Sequence, residues 1–234
     1  MVEQIQVDPS NYARRWVSCL DLLGFSDLIR AKDWVYIFAY YKQAIDLCAR
    51  DRGFEPAIEK IWFSDTFILY SPDDTASSFG SIEATTRWFL HFLVSAGIPV
   101  RGAMSCSDLY TDVQNRIFFG NALVESYYYG ESQNWIGFVL SPSCIKQMAS
   151  LGLPANERLN YVYWDIPYKR IDDSLETKLP ALILGGSSQR NTCLDKLRKM
   201  KERLKGSTHI IKYENSIRFI ESNLKIEASV GQNT

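Results

Sequence analysis

The sequence predicts an α+β fold: a ferredoxin-like βαββαβ core with C-terminal helical additions. Three observations point there. Apolar runs of strand length and long helical periodicities follow one another as β, α, β, β, α, β, with a further β, α, β appended before residue 150. Two of the strand-like runs, 16–22 and 61–70, each hold one carboxylate in an otherwise apolar setting. The 234 residues, 46% hydrophobic and 13% aromatic, suffice for one large domain with a full core.

Trp16 to Leu22 reads as a buried strand. Gly24 then permits a tight exit, and Ser26 is placed to cap a helix with Asp27 in its first turn. That helix is expected to run to Arg52-Gly53, because Trp34, Ile37, Phe38, Tyr41, Ile45 and Cys48 recur at three- and four-residue steps. Ile58 to Phe63 and Thr66 to Tyr70 form a strand pair with Ser64-Asp65 at the turn. A second helix, Ser81 to Ala96, turns Ile82, Trp88, Phe89 and Leu93 toward the same sheet and stops before Gly97 and Pro99. Val100 to Tyr110 is a strand of small residues, which requires a close neighbour.

Arg116 to Phe119 follows as a short strand, Gly120 to Glu131 as a helix, and Trp135 to Leu140 as another strand before Ser141-Pro142 opens a short helix. Beyond Gly152 the pattern loosens. Tyr161 to Trp164 and Ala181 to Leu184 read as short strands, and Asn191 to Leu204 and Lys212 to Leu224 as helices. The expected division is a core over 1–150, an extension packed on it over 151–226, and a disordered polar tail over 227–234.

Composition excludes several functions. A formal net charge of -1 supplies no global attraction for nucleic acid or an acidic membrane, so an anionic ligand must be held by local groups. The five cysteines are odd in number, widely spaced and form no C-x-x-C pair, which fits reduced thiols and a cytoplasmic location. The start, Met1 to Ser10, is polar, and the longest apolar run, Trp88 to Val100, is short and contains His91. Neither a signal peptide nor a membrane span is expected.

The chemistry centres on Asp21 and Asp65. Two carboxylates on adjacent central strands can share divalent cations, and two such ions activate an attacking oxygen and stabilise a leaving phosphate. The loop Leu22-Leu23-Gly24-Phe25-Ser26, entering a helix, offers backbone N–H groups to phosphates. Together these spell a nucleoside triphosphate site. The same two residues also read as a strand-end cap and a turn residue, and spacing alone leaves both readings open.

Asp21-Leu22-Leu23-Gly24-Phe25-Ser26 resembles the D-[IL]-x-G-F-[ST] motif of class III nucleotide cyclases, and Phe63-Ser64-Asp65 stands where that family has I-G-D. Arg101-Gly102-Ala103 resembles the start of its fourth strand, and Phe119-Gly120-Asn121-Ala122-Leu123 its W-G-[DN]-x-V segment. The similarity spans roughly 16–145. It implies the class III catalytic fold and a pair of metal ions, manganese or magnesium, held by Asp21, Asp65 and the Leu22 carbonyl. The implied reaction is attack of the ribose 3′ oxygen on the α-phosphate, giving a 3′,5′-cyclic nucleotide and pyrophosphate. The family's sites lie across a dimer interface, so a homodimer is also implied.

The departures bear on substrate. Where purine cyclases place their polar base readers this chain has Ile61 and Ile117, and isoleucine cannot match the polar edge of a purine. The family's ribose-orienting Asn and transition-state Arg are Val124 and Tyr128 here. This pattern is similar to the pyrimidine cyclases of the Pycsar antiphage system, which implies UTP or CTP as substrate, UTP favoured, and a product read by a separate effector. Arg101 is the candidate to replace the missing arginine or to bind phosphate, and it also reads as a salt-bridged strand residue. Arg14, Arg15 and Lys60 are weaker candidates for phosphate. Tyr127, Tyr128 and Tyr129 could stack on a base or pack in the core, and His91 reads as a core histidine.

Overall fold

A computed structural model describes residues 11–25, 30, 34–49, 56–155, 160–170, 172–184, 186–204 and 207–230. In chain order the elements are β1 (Tyr12–Leu22), α1 (Trp34–Ala49), β2 (Glu59–Phe63), β3 (Thr66–Tyr70), α2 (Ala76–Ala96), β4 (Val100–Asp112), β5 (Ile117–Phe119) and α3 (Asn121–Ser132). Then come β6 (Phe138–Leu140), α4 (Pro142–Ser150), β7 (Tyr161–Asp165), β8 (Lys178–Leu182), α5 (Gly186–Glu202) and α6 (Ile210–Val230). One eight-stranded sheet runs β2-β3-β1-β4-β6-β8-β7, with β5 paired to β4. Its β2-β3-β1-β4 half is the expected ferredoxin-like arrangement, and the residues beyond 150 continue the same sheet through β8 and β7.

Strand alternation assigns the two faces. On one, Trp16, Leu20, Phe67 and Leu69 meet Phe79, Ile82, Phe89, Leu90 and Leu93 of α2 in the main core. On the other, Val17, Tyr70, Leu109 and Ala122 make a smaller cluster beneath α3. The small residues of β4 have the close neighbour they require. A Cβ on Gly130 of α3 would lie 3.3 Å from the Gly102 Cα, and a Cβ on Gly102 would lie 2.4 Å from the Cys19 carbonyl oxygen.

Element ends depart from expectation for identifiable reasons. β1 begins four residues early because Arg14 and Arg15 are anchored by the 71–74 turn. α2 starts at Ala76, where Thr75 caps it by accepting from the Ser78 N–H at 3.3 Å; the Ser77, Ser78 and Ser81 hydroxyls mask that turn as loop in the sequence. α6 runs to Val230, so the expected tail is helical up to that point. The expected capping role of Ser26 lies outside the described residues, as do Asp27, Arg52 and Gly53. No described helix is long and apolar enough to cross a membrane. The described cysteines, Cys19, Cys106, Cys144 and Cys193, are free and buried.

Candidate active site

The site lies at the end of β1 on the α3 face of the sheet. Register sets Asp21 opposite Thr66 of β3 and opposite Arg101 of β4, so the three side chains share that face. Arg101 is only 3% exposed and is fully engaged. Its Nε and Nη2 donate to Asp21 Oδ2 at 2.9 and 2.8 Å, its Nη1 donates to the Gln133 carbonyl at 2.7 Å, and Nη2 also meets Glu131 Oε2. Lys169, from the β7–β8 connection, closes the chain by donating to Glu131 Oε1 at 2.9 Å.

Asp65 is brought to this end of the sheet by a two-residue turn. Phe63 pairs with Thr66, leaving Ser64-Asp65 as the loop, and Ser64 takes a left-handed φ of 56°. The Leu22 N–H donates to the Asp65 carbonyl at 3.0 Å, which ties the β2–β3 turn to the exit of β1. Among the described residues no hydrogen bond or ion pair reaches the Asp65 carboxylate.

The electrostatics are those of crowded carboxylates. Burial pushes the Asp21 carboxyl up to about 6, Glu131 and Asp65 add to the rise, and Arg101 opposes it. Glu131 goes the other way. Burial raises it, but the Lys169 hydrogen bond, the Arg101 and Lys169 charges and a hydrogen bond with Asp21 together hold it below its ordinary value. Asp21 therefore keeps its proton more readily than Glu131 does.

This donor set fits hard divalent cations. Asp21 and Asp65 stand at neighbouring strand ends, and a cation held by both would offset the burial, and the smaller Glu131 and Asp65 repulsion, that raise Asp21. Leu22, next to Asp21 at the end of β1, is tied by its N–H to the Asp65 carbonyl, so its own carbonyl belongs to the same strand end. Among the described residues, no group of three or more His, Cys, Asp or Glu side chains has the spacing of a ready-made metal cage.

The other residues expected at the site divide into those placed near it and those placed elsewhere. Gly24 supplies the sharp exit with φ 76° and is exposed, and Phe25 beside it rests against the main core. Leu22 and Leu23 do not offer backbone donors to a phosphate. Their N–H groups are spent on the Asp65 and Pro99 carbonyls, at 3.0 and 2.9 Å. Ser26 falls outside the described residues.

Ile61 packs on the small cluster beside Ile68 and Phe118, whereas Ile117 projects from the opposite side of β5 and is 47% exposed. One chain does not bring the two isoleucines together. Tyr128 turns away to bond Asp172 and the Ser174 hydroxyl, the latter at 2.8 Å, and Tyr129 is buried in the core. Tyr127 is the tyrosine that feels the charges of Glu131, Asp21 and Arg101. Arg14 pairs with Asp74 at 3.1 Å, Arg15 donates to the Ser71 and Pro72 carbonyls, and Lys60 stands opposite Leu69 on β2. The two arginines belong to the far end of β1. His91 contacts Cys193 Sγ at 3.6 Å and Ser95 Oγ at 3.4 Å, in keeping with a core histidine.

Sequence reasoning missed Glu131, Lys169 and Lys212. Glu131 did leave a signal: a carboxylate in the last turn of α3 opposes the helix dipole and needs a local cation. The lysines left none, since each comes from a segment far along the chain.

No protein-family model matches the sequence, and no curated protein matches it. Solved structures do match in fold. The monomeric guanylyl cyclase domain of the RhoGC fusion protein from the aquatic fungus Blastocladiella emersonii superposes with a TM-score of 0.53 at 13% identity, over 74% of this chain and 95% of that one. The catalytic core of a rhodopsin-guanylyl cyclase with converted specificity, solved with ATPαS, gives 0.53 at 11% identity over 73% and 95%. The guanylyl cyclase Cya2 gives 0.52 at 9% identity over 75% and 94%. The chain has the fold of a class III nucleotide cyclase catalytic domain.

Proposed function

We propose that this chain is a nucleotide cyclase that converts UTP, or alternatively CTP, to the 3′,5′-cyclic monophosphate and pyrophosphate. The observation that carries the reading is the joining of Asp21 and Asp65, through the Leu22 to Asp65 hydrogen bond of 3.0 Å, at one end of a class III cyclase fold. Bound manganese or magnesium supplies charge neutralisation and activation of the ribose 3′ oxygen. Asp21 and Asp65 hold the ions, with the Leu22 carbonyl as a further ligand. The 3′ hydroxyl gives up its proton to solvent as its oxygen forms a bond to the α-phosphorus, the bond to the bridging oxygen breaks, and pyrophosphate departs. Arg101 fixes the Asp21 carboxylate by two bonds to one oxygen and adds positive charge beside the phosphates.

Pyrimidine preference rests on residue type at positions 61 and 117: the two isoleucines stand apart within one chain, and neither offers a hydrogen bond to a purine edge. A homodimer completes the site, and the exposed apolar Ile117, Phe119 and Val124 on and after β5 suit burial against a second copy. The product acts as a second messenger for a cyclic-nucleotide-responsive effector in antiphage defence. Incubation with ATP, GTP, CTP and UTP in manganese, followed by mass spectrometry, is expected to yield cyclic UMP or cyclic CMP. Cyclic AMP or cyclic GMP as the main product would overturn the pyrimidine assignment.

One observation favours a second reading, a catalytically silent nucleotide- or partner-binding module: Arg101 already occupies Asp21 Oδ2, where a cation would bind. That reading predicts nucleotide binding with no cyclic product from any of the four substrates.

A further inference from the structure

The extension beyond residue 150 reaches the carboxylate centre at two points. Lys169 arrives on the β7–β8 connection. Its N–H donates to the Ser132 carbonyl at 2.8 Å and its Nζ to Glu131 at 2.9 Å, and Gln133 bridges to Tyr168 beside it. Helix α6 makes the second approach, at residues 134–136. The Ile136 N–H donates to Ser216 Oγ at 2.7 Å, and Asn215 Nδ2 donates to the Asn134 carbonyl at 3.0 Å. Phe219 of the same helix packs edge-on against Trp135 at 5.0 Å between ring centroids. The 133–136 segment that receives these contacts is also the one whose Gln133 carbonyl holds Arg101.

Lys212 stands one turn before Ser216, whose hydroxyl donates to the Lys212 carbonyl at 2.8 Å, so it shares the helix face that meets this segment. Its ammonium is half-buried, and no hydrogen bond or ion pair to it is found among the described residues. Burial, then the charges of Arg101 and Lys169, hold its pKa below the lysine range, while Asp21 and Glu131 pull it up. A half-buried cation this close to the centre, without a direct partner, is suited to receive an anion.

We infer that Lys212, together with Lys169, grips the β- and γ-phosphates of the substrate from within the same chain, a function for the C-terminal extension. This rests on the cyclase reading. Arg101, Lys169 and Lys212 balance Asp21, Asp65 and Glu131 in charge, so two divalent cations and a fully ionised triphosphate enter a site that stays near neutral. The grip also supplies cationic contacts to the departing pyrophosphate where Tyr128 has replaced arginine and turned aside to Asp172.

Calorimetric titration of the full chain with the α,β-methylene analogue of UTP and with UMP, in manganese, tests the assignment. Lys212→Met is expected to weaken the triphosphate analogue about tenfold while leaving UMP unchanged, and Lys212→Arg to restore most of the loss. Lys169→Met is expected to show the same selectivity, and serves if Lys212→Met does not fold. Unchanged binding of the triphosphate analogue in folded Lys212→Met, or an equal loss for UMP, would overturn the inference and leave the cyclase reading standing. If the unmodified chain binds neither the analogue nor UMP, both readings fall.

Discussion

At Ser64 the chain accepts a left-handed backbone, φ 56°, where the related motif has glycine. The two-residue turn demands this conformation, and a side chain with a Cβ is strained in it by about 1 kcal/mol. Ser64→Gly is therefore expected to raise stability by roughly 0.5 to 1 kcal/mol in urea unfolding. Its neighbour Asp65 needs no such compensation, since its carboxylate has no partner among the described residues. Asp21 is different: it is legible in the sequence as a lone carboxylate in an apolar strand, but its partnership with Arg101 comes only from strand register. Asp21 and Asp65 could be paired from residue type and local turn signals. Glu131, Lys169 and Lys212 could not: Glu131 bonds Arg101 across 30 residues of sequence, Lys169 bonds Glu131 across 38, and Lys212 feels the charges of Asp21 and Arg101 from more than a hundred residues away.

Among the elements, α3 is seated on β4 by two glycines. A Cβ on Gly102 would meet the Cys19 carbonyl oxygen at 2.4 Å, backbone that cannot move aside, so Gly102→Ala is expected to cost about 1 to 3 kcal/mol. Gly80 of α2 provides the contrast. Nothing lies within 4 Å of its added Cβ, and Gly80→Ala is expected to stabilise by about 0.5 to 1 kcal/mol. Thermal unfolding of both variants reads the two signs. The order of β1 through α4 was legible because apolar period and turn residues agree there. The ends were less so: Arg14 and Arg15 disguise the start of β1 as loop, and serines disguise the first turn of α2. Ile117 shows the same limit at the site, where the sequence indicates a strand but not which side of β5 the residue takes.

For the whole molecule, one buried acid outside the site sets a pH dependence. Glu83 of α2 is 3% exposed, and burial lifts it from 4.5 to about 7 against the opposing charge of Arg87, which bonds Oε2 at 2.9 Å. Among the described residues its other oxygen, Oε1, has no hydrogen bond, and the nearby Tyr161 hydroxyl likewise has none. Between those two values the folded chain binds a proton that the unfolded chain has released, so stability falls as pH rises through the window. The loss is about 3 kcal/mol, and Glu83→Gln is expected to remove its share of the slope in urea unfolding between about pH 4.5 and pH 7.

The central claim, that Asp21 and Asp65 hold the ions of a cyclase, is tested most directly at Asp65, which can be changed without stranding a buried charge. Mass spectrometry of reactions with UTP and manganese should show cyclic UMP and pyrophosphate from the unmodified chain. Asp65→Ala should yield no cyclic product while retaining the same melting temperature. Equal product from the two proteins would contradict the claim.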